Sequence, residues 1–226
     1  APTGAIHTTS GATLVRIDTE GTRRAMGGLP VVILRAGLQA VLLDACAQLG
    51  VEIELGRALE EVRPHGTRVR VRTTVGEGTF DGLIGADGIG SAVRASVMPG
   101  DRLRDCDRVA WRAVMKDGAG LVDRSWLTVG TGLQVVVSPA PEGLVYWAAD
   151  TPGCDTPARD GADRRDILRR RFSSWHPPIP QLIEATAAEG LIVTRIFDRR
   201  PPAHLRKGPV LLVGDAAHAM TPDLGQ

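Results

Sequence analysis

Two short stretches of this 226-residue chain pair an aspartate with the end of an apolar run. In the first, PVLLVGDAAHAMTPDLG from Pro209 to Gly225, Gly214 and Asp215 follow Val210, Leu211, Leu212 and Val213. Four apolar residues rich in branched side chains predict a short strand buried on both faces. Gly214 permits a turn or a close approach of backbone. Asp215 then falls at the carboxyl end of a strand, the edge where ligands of open α/β sheets gather. Ala216 to Met220 predict the opening of a helix, whose first N–H groups favour negative charge. A carboxylate for a ribose diol beside a helix end for a diphosphate is chemistry suited to a dinucleotide. Seen alone, the same residues also read as a strand followed by an ordinary Asp N-cap.

The second stretch, DGLIGADGIGSAVR from Asp81 to Arg94, repeats that logic. Leu83, Ile84 and Ala86 predict a strand, Asp87 and Gly88 the turn, and Ser91 the N-cap of a helix carrying Val93 and Arg94. Two sheet-edge aspartates in one chain favour a binding site over two unrelated caps. GADGIGSAVR and GDAAHAMTPDLGQ resemble two fingerprints of the FAD-dependent aromatic-ring monooxygenases, the para-hydroxybenzoate hydroxylase-like flavoproteins. Arg35-Ala-Gly-Leu38 is similar to that family's Arg-x-x-Leu at the head of a helix, and the three segments share the family's order and spacing.

The resemblance implies an α/β fold, with a partial FAD/NAD(P)-binding Rossmann-like domain and a mostly antiparallel-sheet substrate domain. It assigns Asp215, after Gly214, to the FAD ribose and Arg35 to the FAD diphosphate, where a guanidinium can bind oxygens in bidentate fashion. Asp87, Gly88 and Arg94 order the turn that serves FAD and the passing nicotinamide nucleotide. By the same resemblance Thr221 to Gly225, with Pro222 and Gly225, are expected beside the isoalloxazine. The implied activity uses NAD(P)H to reduce FAD and dioxygen to form a C4a-hydroperoxyflavin, which hydroxylates an aromatic or other electron-rich small molecule. The family's opening strand, G-x-G-x-x-G turn and helix have no counterpart here, and the chain stops inside the last fingerprint. A remnant or binding module of this fold without the cofactor, or a related flavin reductase, oxidase or halogenase, are the alternatives. The Trp-x-Trp-x-Ile-Pro string associated with flavin halogenases is absent.

The elements that must position these residues are legible to different degrees. Leu34, Leu38, Val41, Leu42, Ala45 and Leu49 recur at helical spacing before Gly50, which predicts a helix over 34–49 with Arg35 at its start. Ala5 to His7 and Thr13 to Ile17 predict short strands around a Ser10-Gly11 turn. Val51, Ile53 and Leu55 alternate with glutamates as in a strand. Ala58 to Val62 and Arg68 to Val75 flank a hairpin turn, with Arg68, Arg70 and Arg72 on a solvated face opposite Val69, Val71 and Val75 and balanced by Glu60 and Glu61. Asp101 to Asp107 reads as charged and irregular. Trp111 to Val114, Trp126 to Val129, Leu133 to Val137 and Leu144 to Ala149 predict an antiparallel sheet, on which Trp111, Tyr146 and Trp147 are equally pocket or packing residues. Helices follow over 163–175 and 179–188, then a strand over 191–197. The expected domains are 31–99 with 191–226 for FAD, and 1–30 with 100–190 for substrate.

Composition narrows the function classes. A formal net charge of +1 offers no electrostatic case for nucleic acid. No run approaches the ~20 apolar residues of a spanning helix. Three scattered cysteines and five scattered histidines carry no metal spacing or disulfide framework. No Ser-His-Asp order, paired catalytic carboxylates or P-loop appears, which suits an enzyme whose cofactor carries the chemistry. A cytoplasmic protein acting on a small molecule is the expectation, with its oligomeric state open.

Overall fold

The computed structural model describes residues 4–28, 31–118, 120–157 and 164–223. Strands β1 (Ala5–Thr8) and β2 (Thr13–Arg16) precede helices α1 (Thr19–Met26) and α2 (Arg35–Gln48). Strands β3 (Leu59–His65), β4 (Arg68–Thr73), β5 (Gly76–Phe80) and β6 (Leu83–Gly85) lead to helix α3 (Ala92–Val97). The long strand β7 (Arg104–Lys116) is followed by β8 (Trp126–Gly130), β9 (Leu133–Ala140) and β10 (Leu144–Pro152). Helices α4 (Arg164–Phe172) and α5 (Ile179–Ala185), strands β11 (Ile192–Asp198), β12 (Arg206–Lys207) and β13 (Val210–Leu212), and helix α6 (Gly214–His218) complete the order. The chain divides into two compact units, residues 1–49 with 107–195 and residues 50–106 with 196–226.

The first unit is built on a seven-stranded sheet in the order β11-β7-β10-β9-β8-β1-β2. Strict alternation along β7, β9 and β10 sends Val109, Trp111, Ala113, Val135, Val137, Val145, Trp147 and Ala149 to one face. There they form a continuous core with Leu168 and Phe172 of α4 and Ile179, Leu182 and Ile183 of α5. Two of the buried indoles have a hydroxyl partner: Trp111 Nε1 donates to Thr151 Oγ1 at 2.9 Å and Trp147 Nε1 to Thr186 Oγ1 at 3.0 Å. The opposite face carries Arg108, Arg112, Gln134, Ser138, Tyr146 and Asp150. Trp111 and Trp147 are therefore packing residues, and only Tyr146 of the three aromatics stands on the open face.

The second unit holds a three-stranded meander, β3-β4-β5, and a second sheet ordered β12-β13-β6. Val69 and Val71 of β4, Val93 of α3, Val210 and Leu212 of β13, and Ala216 and Ala217 of α6 form its core. On the meander's solvated face Arg72 pairs with Glu60 and Arg68 with Asp81 at 2.9 Å, which offsets much of the basic stripe.

Several expectations are corrected. Val51, Ile53 and Leu55 alternate as in a strand but pair with no strand among the described residues, and all three are exposed. Alternation without a ladder partner does not make a strand. Residues 104–107, read as irregular, begin β7. Strand β13 is buried on one face only, since Leu211 between Val210 and Leu212 is exposed. Helix α1, capped by Asp18 accepting from Gly21 N at 2.9 Å, and strand β5 went unread because neither carries an apolar period.

Candidate cofactor site

The two fingerprints meet in the second unit. Strands β6 and β13 pair in parallel, Leu83 with Val210, Ile84 with Leu211 and Gly85 with Leu212. Both therefore end at one edge, and Val213 N extends the ladder by donating to Gly85 O at 3.0 Å. The turn after β6 carries Asp87 and Gly88, and the turn after β13 carries Gly214 and Asp215. Gly88 (φ +78°) and Gly214 (φ +55°) hold left-handed backbone that other residues rarely adopt. Gly85 serves a different need: a Cβ there would lie 2.8 Å from Val93 Cβ and 2.9 Å from Leu212 Cδ2. The sequence pattern shows no reason for that glycine, because the constraint comes from Val93 on the following helix and from Leu212, remote in the chain.

The two aspartates have different surroundings. Asp87 Oδ1 accepts from Ser91 Oγ at 2.6 Å, and its Oδ2 accepts from Ala92 N at 2.8 Å and Val93 N at 3.1 Å. Ser91 Oγ in turn accepts from Arg94 N at 2.8 Å. Burial pushes the Asp87 carboxyl up, but the bonds from Ser91 Oγ and from backbone N–H groups outweigh it and hold the group below the usual carboxylate range. The first N–H groups of α3 are thus already used by its own caps, so that helix end offers no free donors for a diphosphate. Asp215 is the reverse case. It stands in the first turn of α6, exposed, and its carboxylate accepts no hydrogen bond from any described residue.

Arg94 is almost wholly buried, with 1% of its side chain exposed. Its Nη1 donates to Ala216 O at 2.9 Å and Ala217 O at 2.6 Å, and Nη2 donates to Arg200 O at 3.3 Å. Nε and Nη2 also reach the Asp101 carboxylate, at 2.8 and 3.2 Å. Every guanidinium N–H is committed to protein acceptors, so this side chain ties α3 to α6. The tie had no local signal, its acceptors lying more than a hundred residues away.

Of the remaining expected residues, Arg35 opens α2 in the first unit, exposed and without a hydrogen bond or ion pair to any described residue. Pro222 lies in the segment where Thr221 Oγ1 donates to Asp223 Oδ2 at 2.5 Å. Gly225 lies outside the described residues. In the first unit, a cavity of about 470 Å³ is lined by Asp107, Arg108, Val129, Gly130, Gly132, Leu133, Gln134 and Pro152. At its polar end the buried Asp150 Oδ2 accepts from Arg108 Nη2 and from Gln134 Nε2, each at 2.6 Å. Among the described residues no cluster of three His, Cys, Asp or Glu could hold a metal, and no helix is long and apolar enough to cross a membrane.

No protein-family model matches the chain. It is 36% identical over 228 residues to an aurachin C monooxygenase/isomerase of Stigmatella aurantiaca, a match covering 99% of this chain and 58% of that protein. A FAD-dependent urate hydroxylase of Klebsiella oxytoca is 34% identical over 206 residues, covering 88% of this chain and 53% of that one. The crystal structure of Klebsiella pneumoniae HpxO complexed with FAD and uric acid aligns with a TM-score of 0.87 at 30% identity, over 100% of this chain and 59% of that chain. The chain belongs to the para-hydroxybenzoate hydroxylase-like FAD-dependent monooxygenase family. The α/β fold with a partial FAD-binding part is that of these flavoproteins. The chain spans 58% and 53% of the length of the two curated flavoprotein relatives named above.

Proposed function

We propose that the protein containing this chain is a flavin-dependent monooxygenase that binds FAD at the shared edge of β6 and β13. The observation that carries the reading is the parallel pair, which brings the Asp87–Gly88 turn and the Gly214–Asp215 turn to one edge and leaves the Asp215 carboxylate unengaged by any described residue. A free carboxylate there fits a ribose diol, whose two hydroxyls can both donate to it. The left-handed glycines leave the backbone open to a close neighbour, with no atom within 4 Å of a Cβ built at either Gly88 or Gly214. FAD, when bound, supplies electron transfer and oxygen activation that side chains lack.

The chain's own residues then divide into two groups. Asp215 and the Gly214 backbone bind, and Arg35 supplies a guanidinium suited to diphosphate oxygens. Asp87 and Arg94 act by ordering: the first holds the turn through its caps, and the second holds α6 to α3. Pro222 belongs to the segment that the resemblance assigns to the ring of the flavin. The substrate is a small electron-rich ring, and the cavity of about 470 Å³ in the first unit has the size of a small-molecule site. Arg108 shares the Asp150 carboxylate with Gln134, so this polar end presents a neutralised pair rather than a bare cation. Tyr146 and Arg112 on the same open sheet face add an aromatic body and a donor.

The reading predicts that the purified protein carries FAD, or binds it with quenching of flavin fluorescence, and oxidises NADH or NADPH faster when an aromatic substrate is present. Nucleotide oxidation that ignores every substrate favours a reductase or oxidase. A protein that takes up no FAD at all is a binding module or remnant of the fold.

A further inference from the structure

The contacts made by Arg199 go beyond the two fingerprints. Its Nε and Nη2 both donate to Ile89 O, at 3.0 and 2.7 Å, and so grip the turn between Gly88 and Gly90. Its backbone N–H donates to Ala219 O at 3.0 Å, just past the end of α6. Its Nη1 pairs with Asp101, whose carboxylate is shared with the buried Arg94. The result is a closed set of links in which Ile89 O, Arg199, Asp101, Arg94 and the Ala216 and Ala217 carbonyls follow one another. Asp101 is held below the usual carboxylate range, first by the Arg94 hydrogen bonds and then by Arg94 and Arg199 charge, which outweigh its burial.

Helix α6 spans only five residues, too short to be stable by its own hydrogen bonds. Its last carbonyls need partners, and cations are favoured at that end. The Arg94 guanidinium supplies them to Ala216 O and Ala217 O, and the Arg199 backbone N–H donates to Ala219 O. The direction in which α6 presents Asp215, and the shape of the Asp87–Gly90 turn, are therefore set by one shared carboxylate and two guanidinium groups. We propose that Arg199 and Asp101 are positioning residues, which lock the two cofactor-facing turns to each other so that they are held in binding geometry before FAD arrives. This rests on the FAD reading for its purpose but not for its mechanical part.

The test is Arg199→Lys in the full chain, with Asp101→Asn as a second variant. Lysine keeps the charge that pairs with Asp101 but cannot give Ile89 O a planar pair of N–H donors. Backbone hydrogen exchange and FAD affinity are measured together, well below the melting temperature. Exchange at 88–93 and at 215–219 is expected to quicken about tenfold in both variants, the effect of losing one charge-assisted hydrogen bond. Exchange across β10 in the first unit stays unchanged, and the FAD dissociation constant rises about tenfold. If exchange quickens at neither or only one of the two segments, the lock is wrong. If it quickens at both while FAD affinity is unchanged, the positioning role is wrong. A parent chain that binds no FAD overturns the cofactor purpose alone, and the exchange result still decides whether these residues hold the turns.

Discussion

At the scale of single residues, the two aspartates that look alike in sequence do different work. Asp87 has both oxygens occupied by Ser91 Oγ and two backbone N–H groups, whereas Asp215 has neither occupied by any described residue. A carboxylate that makes no bond to any described residue contributes little to stability, so its replacement should separate binding from folding. Asp215→Ala is expected to weaken FAD binding by tenfold or more, since a hydrogen bond to a charged group is worth about 1.5–3 kcal/mol. The melting temperature without FAD should move by no more than about 2 °C, alanine being a good helix former in that first turn. Fluorescence titration with FAD and a thermal melt of the apoprotein check both halves. Unchanged affinity removes Asp215 from the site. Both aspartates were visible in sequence as strand-end carboxylates, but what divides them is the spacing to Ser91, which lets one carboxylate fold back on its own helix.

At the scale of elements, the chain shows which signals survive folding. The apolar alternation of β9 and β10 was legible because one sheet face is buried against α4 and α5, and the period of two records that burial directly. Helix α2 was legible from its spacing although none of its residues is buried. The segment Val51 to Leu55 has the same alternation as a strand and no partner among the described residues, so pattern alone overcalled it. Gly85, Asp101 and Arg199 were illegible because each answers in part to atoms far away in the chain: Leu212, Arg199 and Ile89 respectively. Local pattern could therefore locate the two fingerprints but not the links that fix their angle. Helix α3 gives the test. It has six residues and depends on its caps, Asp87 on Ala92 and Val93 N and Ser91 on Arg94 N. Asp87→Ala leaves the Ser91 cap in place and is expected to destabilise the second unit by about 1 kcal/mol, the usual worth of an N-cap. Exchange at the Ala92 and Val93 amides should quicken by about fivefold, while a protein unchanged at those amides would show the cap to be idle.

At the scale of the whole molecule, the two units carry different kinds of stabilising group. All four tryptophans, Trp111, Trp126, Trp147 and Trp175, belong to the first unit, so indole emission reports that unit alone. The second unit carries Asp87, Asp101 and Asp198, each held below the usual carboxylate range. For Asp198 the cause is first the Arg104 hydrogen bonds and then the Arg104 charge. A carboxyl whose folded-state value is depressed binds fewer protons folded than unfolded, so its stabilisation is complete above the unfolded value of about 3.9 and is lost as pH falls below it. In the first unit the depressed Asp123 pairs with its exposed neighbour Arg124, an arrangement that water and salt screen and that adds little. Lowering the pH from about 5 to about 3 is therefore expected to quicken hydrogen exchange at 87–93 and 210–213 first. Tryptophan emission should hold steady over that interval, because the indoles of Trp111 and Trp147 pack in an apolar cluster with Leu168 and Phe172, and the buried Asp150 lies on the opposite sheet face. The loss should be reversible and should be smaller in Asp87→Ala, which has one fewer carboxylate to lose. Coincident loss of exchange protection and of the emission signal would mean that acid acts on something both units share, and the Arg94–Asp101–Arg199 links would then not be the element that acid releases.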